Sequence, residues 1–282
     1  KSTKSESQWV SSLSVHAFPL IGKLSPEEIT TQHILDILTP IWTSRHVTAT
    51  KLRGRLERVI SASITNGLRS STNPAIWKGH LENLLPWVKA SQGHHAAMNY
   101  KEVPALMEIL QRNTSQSSLA LQFTILNALR TSEGLYTQKS EIDSGILTIP
   151  ANRMKGNQEH QVPLSQPSLN LIARLPNLDI ASDLLFHNNG KPLSNMSMLM
   201  LLRRIQPNLT VHGFRSSFRD WVAEETNHSP EVAEMALAHK IANKVEAAYR
   251  RGKLIERRRA LMEDWASYCM STCTTYSSTS LA

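Results

Sequence analysis

The chain has 282 residues, of which 40% are hydrophobic, enough for one or two domains that bury a core without disulfides or a metal. Lys and Arg outnumber Asp and Glu by 31 to 23, a balance that suits a polyanionic partner. No apolar run reaches the eighteen or so residues that a helix needs to span a bilayer. Lys1 to Gln8 are polar, so no secretory leader is legible, and an opening on Lys1 implies residues missing upstream. The basic excess is denser at the start: residues 1–104 carry 12 basic and 7 acidic side chains, against 19 and 16 in residues 105–282.

In chain order, Ser25-Pro26-Glu27-Glu28 predicts a capping box that opens a helix running to about Leu38. A second helix is expected from about Thr48 to Asn66, ending at Gly67, with Leu52, Leu56, Val59 and Ile64 at helical spacing. Lys51, Arg55 and Arg58 share a neighbouring face of it. They form a stripe that can face DNA phosphates or simply remain a solvated face. A third helical stretch is expected from Pro74 to about Ala90. Residues 91–103 lack periodicity and read as a linker, in which His94 and His95 are polar loop residues rather than metal ligands.

Helices follow at 104–113 and 117–129. Two β-rich runs, Ile146–Ile149 and His160–Leu164, flank a polar segment with Gly-Asn in its turn, the pattern of a hairpin that carries Lys155. Ser165, Ser194 and Ser229 read as N-caps of helices over 166–175, 195–205 and 230–238. Further helices are expected at 213–227, 243–250 and 254–268, and a Ser/Thr-rich tail at 270–282 reads as disordered. Cys269 and Cys273 read as free thiols of a reducing compartment.

The residues that carry chemistry are scattered. His212 and Arg215 lie one turn apart if the segment is helical, facing the same way, while Phe214, Phe218, Trp221 and Val222 form an apolar stripe on another side. His239 precedes Tyr249 by ten residues. Upstream stand Arg130, Glu133 and Lys155. Each alone has an ordinary structural reading; the order Arg, Lys, His-x-x-Arg, His, Tyr is what singles them out.

In that order and spacing the chain resembles the tyrosine recombinase (phage integrase) family, closest to integrases of satellite prophages and genomic islands. The carrying segments are 149–155, 160–165, 212–221, 237–252 and 257–265, with Trp77-Lys78-Gly79-His80-Leu81 in the first third. The resemblance implies a mainly α fold with a small antiparallel β-sheet. A helical core-binding domain (1–98) and a linker (99–103) would precede a catalytic domain (104–269) and the tail (270–282), the two domains clamping duplex DNA. On this resemblance the additional N-terminal arm-binding domain of such integrases would be lacking.

The resemblance also implies an enzyme that cuts and rejoins DNA through a 3′-phosphotyrosine, for integration or excision of a mobile element. Arg130 and Arg215 would neutralise charge on the phosphate, Tyr249 would attack phosphorus, and His212 would move a proton. Lys155 would protonate the leaving 5′-oxygen, His239 would hydrogen-bond the phosphate, and Glu133 would orient the site from behind. No cofactor is implied, neither ATP nor a metal. The implied partners are double-stranded DNA at attachment-site core sequences and a homotetramer on it, with a host DNA-bending protein and an excisionase; the implied location is the cytoplasm, at the nucleoid.

The chain departs from the pattern around the first arginine. Asn127 and Ala128 stand where Thr-Gly or Thr-Ala is usual, Ser132 replaces a glycine, and residues 134–139 replace an aliphatic, basic and Trp-bearing stretch. Two alternatives therefore stay open: a DNA-binding remnant with impaired catalysis, and a relaxing enzyme like type IB topoisomerases.

Overall fold

The computed structural model describes residues 3–89, 96–176, 181–239 and 254–271. The chain divides into two compact units, Lys1–Gln92 and Gly93–Ala282, each around an apolar core of its own. Both are mainly helical, and the larger one also holds two small antiparallel sheets. No helix among the described residues is long and apolar enough to cross a membrane.

The smaller unit consists of α1 (Thr3–His16), α2 (Phe18–Ile21), α3 (Thr31–Trp42) and α4 (His46–Thr65). The Ser25 capping box forms, with Glu28 accepting from the Ser25 backbone and hydroxyl, both at 2.7 Å. It closes only one 3₁₀ turn, Pro26–Glu28. Ile29 is extended and turns into the core, so the helix starts afresh at Thr31 with Thr30 as its cap. The expected single helix to Leu38 is thus two elements.

α4 buries Leu52, Leu56 and Ile60 as its spacing requires, but Val59 and Ile64 are exposed. The helix expected from Pro74 to Ala90 is absent among the described residues, which form turns and a 3₁₀ turn at Leu81–Asn83. Gly79 at φ +73° and Pro86, which lacks an N–H, interrupt any helical ladder there. The segment is pinned instead by side chains: Trp42 donates to the Pro86 carbonyl at 2.8 Å, and Trp77 stacks on Trp42 at 5.4 Å.

The larger unit begins earlier than the sequence suggests. Residues 90–95, with His94 and His95, lie outside the described residues. The expected linker 99–103 is a 3₁₀ turn, Tyr100–Glu102, leading directly into α5 (Val103–Gln111). Met98, Tyr100 and Val103 are buried in the large core, and the Tyr100 hydroxyl donates to Glu224 and Glu225 at 2.8 Å each. One turn of helix is too short to show a period, so this stretch is anchored structure that carries no helical pattern in its residues.

Then come α6 (Gln116–Leu126), α7 (Thr131–Leu135), β1 (Ile142–Asp143), β2 (Ile146–Ile149), β3 (His160–Pro163) and α8 (Gln166–Ala173). β4 (His187–Asn188), β5 (Lys191–Pro192), α9 (Ser197–Ile205), α10 (Phe214–Glu225), α11 (Pro230–Ala236) and α12 (Ile255–Cys269) complete the described elements. The hairpin pairs Leu147 with Val162 and Ile149 with His160, and β1 adds to its edge. α12 packs on β3, α8 and α11. Its Trp265 is fully buried against Phe218 and Trp221, with ring centroids 5.4 and 5.2 Å away, and donates to the Ile125 carbonyl at 2.9 Å. Cys269 closes that core, and its complete burial pushes the thiol pKa well up. Cys273, the helix expected at 243–250 and the tail from residue 272 onward lie outside the described residues.

Candidate active site

Arg130 stands where the chain leaves α6 and enters α7. The bend is made by Ala128, whose φ of +47° lies in the left-handed region, where a glycine would be less strained. Asn127, buried before it, donates to the Phe123 carbonyl at 2.8 Å and accepts from the Ser168 hydroxyl at 3.1 Å, so no buried polar group of this side chain is wasted. The Glu133 carboxylate then takes Arg130 twice: from its backbone N–H at 2.9 Å and from its guanidinium at 2.7 Å. Gly134 follows because nothing larger fits: a Cβ there would lie 2.2 Å from the Thr124 hydroxyl. The altered segment thus still holds its arginine in a defined place.

Arg215 arrives from α10. The helix lies close to the start of the unit, since a Cβ on Gly213 would lie 2.4 Å from the Ala96 carbonyl oxygen. Arg215 is buried. It donates to the Ala128 carbonyl at 2.6 Å and to the Leu237 carbonyl, and the same terminal nitrogen is 3.1 Å from His239 Nε2. Its Nε is buried with no partner among the described residues. Burial, then the neighbouring Arg130, lowers its pKa to about 10, so it remains charged at neutral pH. Arg130 reaches the same region, with contacts of 3.4 and 3.2 Å to the carbonyls of Leu237 and Ala238. Ala238, at φ +48°, ends α11 and turns these carbonyls toward the two guanidinium groups.

The hairpin is tied to the same place. Arg153 pairs with the buried Glu141 and donates to the Glu133 carbonyl at 3.1 Å. Lys155 follows two residues later, exposed on the turn. His160 on β3 bonds the Ala236 carbonyl at 3.2 Å. Its burial, followed by Arg258, Arg215 and Arg130, drives its pKa down to about 3. Arg258 on α12 is also buried, which lowers its pKa to about 10, and it donates to the Gln161 carbonyl.

Of the residues singled out in the sequence, Arg130, Glu133, Arg215 and His239 are joined by these contacts. Lys155 lies on the exposed turn two residues beyond Arg153 and is not joined to them by these contacts. His212 is not on one α-helix with Arg215: it lies in the 3₁₀ turn Val211–Gly213 and is exposed, whereas Arg215 one turn later is buried. The tighter turn before α10 rotates the two side chains apart. Tyr249 lies outside the described residues.

In the smaller unit the basic stripe divides. Lys51 is exposed, but Arg55 donates to the Gln8 carbonyl at 2.8 Å and to Ser12, and both Arg55 and Arg58 lie over the Trp9 ring at 5.8 and 5.9 Å. Those two arginines anchor α1, because their long stems and planar heads cover an aromatic face better than water does.

Sequence reasoning missed Arg153, His160, Arg219, Glu234 and Arg258. Arg153 and His160 fall within the hairpin segments that carry the resemblance, so proximity to Lys155 was a usable signal. Glu234, whose carboxylate is 2.6 Å from both His239 Nδ1 and Arg219 Nε, had none, since a separation of five residues is not a helical repeat.

Known proteins resemble the chain in sequence and in fold. A model of the phage integrase central domain matches residues 1–80, and a model of the phage integrase family matches residues 97–253. Prophage integrase IntZ of Escherichia coli K12 is 29% identical over 264 residues, covering 91% of this chain and 64% of its own length. The integrase of Enterobacteria phage P4 is 27% identical over 281 residues, covering 91% and 63%. The chain therefore spans just under two thirds of these relatives. Among solved structures, lambda integrase (75–356), a dimer bound to a COC′ core site, has a similar fold, with a TM-score of 0.67 at 17% identity over 86% of this chain and 89% of that one. The Tn1549 transposon integrase (82–397), in complex with circular intermediate DNA, gives 0.63 at 13% identity over 93% and 94%. With a family model covering more than half its residues, the chain belongs to the phage integrase family.

Proposed function

We propose that the chain is a site-specific DNA strand transferase that cleaves and rejoins duplex DNA through a 3′-phosphotyrosine, serving integration or excision of a mobile element. The observation that carries this reading is the meeting of Arg130 and Arg215 at the Leu237 carbonyl, with His239 on the same Arg215 nitrogen. Two forked cations and an imidazole at one point match the needs of a phosphodiester, whose non-bridging oxygens gain charge as phosphorus is attacked. Where the two forks converge their acceptors are neutral main-chain carbonyls, which a phosphate anion outcompetes as a partner for guanidinium, while Glu133 keeps its own bond to Arg130.

In this reading the Tyr249 oxygen attacks phosphorus, the bond from phosphorus to the 5′-oxygen breaks, and the leaving oxygen takes a proton from Lys155 on the hairpin. A free phenol is only about one-thousandth ionised at pH 7, so Tyr249 passes its proton to a base, for which His212 is the candidate. The ester energy is kept in the phosphotyrosine, so a 5′-hydroxyl of another strand reverses the step without ATP. Glu133 keeps Arg130 in place.

Lambda integrase, alike in fold, has been seen as a dimer bound to a COC′ core site and as a tetramer bound to a Holliday junction. By analogy we infer core-type attachment DNA as substrate and a homotetramer as the working form, with a host DNA-bending protein and an excisionase as accessory partners at the nucleoid. Lys51 is the candidate phosphate contact of the smaller unit.

A nicked suicide substrate tests the reading. Cleavage next to the nick releases a short fragment and traps the covalent adduct. Wild-type chain should form it, and Tyr249→Phe should not while still binding DNA. Salt-sensitive binding without any adduct would establish a binding remnant instead, and relaxation of supercoils at any sequence would point to a topoisomerase-like activity.

A further inference from the structure

We propose that Glu234, braced by Arg219, fixes the tautomer of His239 and aims its Nε2 at the Arg215 guanidinium, making Arg219, Glu234 and His239 one positioning relay for the phosphate site. The catalytic consequence rests on the strand-transfer reading above; the tautomer does not.

The donors and acceptors leave one consistent assignment. Arg219 Nε–H donates to one Glu234 carboxylate oxygen at 2.6 Å, and the other oxygen is 2.6 Å from His239 Nδ1. An ionised carboxylate only accepts, so Nδ1 carries the hydrogen. At the other ring nitrogen, Arg215 Nη2 is 3.1 Å from Nε2, and a guanidinium only donates, so Nε2 presents its lone pair. Glu234 stays anionic: burial pushes its pKa up, but hydrogen bonds from Arg219 and His239 outweigh burial and hold it below the ordinary value.

The backbone confirms that the grip is built into the fold. α11 ends at Ala236, Ala238 takes a left-handed conformation, and the His239 N–H returns to the Glu234 carbonyl at 3.0 Å. Glu234 thereby holds His239 twice, by main chain and by side chain. This explains how a residue five positions upstream faces the ring although no helical repeat would place it there. As a stabilising device the cluster is weak, because Arg219, Glu234 and His239 are all more than a third exposed and such pairs contribute little. What it supplies is direction. The ring's Nε2 is thereby held at the Arg215 guanidinium, where the phosphate oxygens would lie.

Two measurements on the full chain test the relay. In ¹⁵N-histidine NMR, with the His239 signals assigned by their loss in His239→Ala, the wild type should show hydrogen on Nδ1, and Glu234→Ala should lose that signature. An Nε2–H ring in the wild type, or an unchanged tautomer in Glu234→Ala, overturns the proposal. In the suicide-substrate assay, Glu234→Ala should slow adduct formation by about 10- to 100-fold, the range found when partners that orient metal-bound imidazoles are removed. The same change in a His239→Ala background should cost nothing further. Equal losses in both backgrounds would mean that Glu234 acts elsewhere and would overturn the relay. Arg219→Ala, which leaves Glu234 in place, should give a smaller loss that is likewise absent without His239. If the wild type forms no adduct, the strand-transfer reading fails while the NMR result still decides the tautomer.

Discussion

Arg130 and Arg215 point terminal nitrogens at one and the same acceptor, the carbonyl oxygen of Leu237. Two like charges converge there, offset by main-chain oxygens and by the carboxylates of Glu133 and Glu234, and the lowered pKa of Arg215 reflects first its burial and then this neighbour. An anion between them relieves both costs. Arg215→Lys keeps the charge but loses the fork that spans the Ala128 and Leu237 carbonyls. Adduct formation should fall at least about 100-fold, and denaturant unfolding should show a loss of about 1–3 kcal/mol from carbonyls left unpaired. Wild-type rates in this variant would show that the fork is not needed.

Arg153 links the Lys155 hairpin to the Arg130 segment through Glu141 and the Glu133 carbonyl. Arg153→Ala leaves the buried Glu141 carboxylate without this partner, and unfolding in urea should report a loss of about 2–4 kcal/mol, somewhat below that of a fully buried pair because Arg153 is partly exposed. Adduct formation should slow as well, since the lysine turn is no longer tethered. Intact stability would mean that the pair is replaceable.

His160 predicts a pH dependence. In the unfolded chain it takes a proton below about pH 6.5, whereas in the folded chain burial beside Arg258, Arg215 and Arg130 delays this to about 3. Between these values the unfolded state binds more protons, so this group's stability is complete above pH 6.5 and is lost as pH falls toward 3, by up to about 1.4 kcal/mol per pH unit. The stability advantage of wild type over His160→Gln, measured by denaturation at pH 7, 6, 5 and 4, should shrink steadily. A constant difference would show that His160 is not the group responsible.

The stripe on α4 should separate into two behaviours. Lys51→Ala should reduce the salt dependence of DNA binding by about one unit of slope and leave stability almost unchanged. Arg55→Ala should lower thermal stability, because it frees α1 from its bonds at Gln8 and Ser12. Binding isotherms at several salt concentrations, with melting curves for both variants, read the two effects apart.

Much was legible in the residues alone, and the reason is that local physics is written locally. Helical spacing, the Ser165 cap with its bond to the Ser168 backbone and the Gly-Asn hairpin turn depend on neighbours a few positions apart. The order Arg130, Lys155, His212, Arg215, His239 is long-range, but it was legible because it needs no knowledge of distance in space. The stretch 99–103 and the split of the first expected helix at Ile29 escaped because single turns leave no period to read. Tertiary structure alone decided that the carbonyls of Leu237 and Ala238 face Arg130 across more than a hundred residues of chain. It also decided that Arg153 braces Glu133, that Arg55 serves α1, and that a left-handed residue folds His239 back onto Glu234. Those contacts depend on where separate elements pack, and burial and main-chain hydrogen bonding set that packing without leaving a repeat in the sequence.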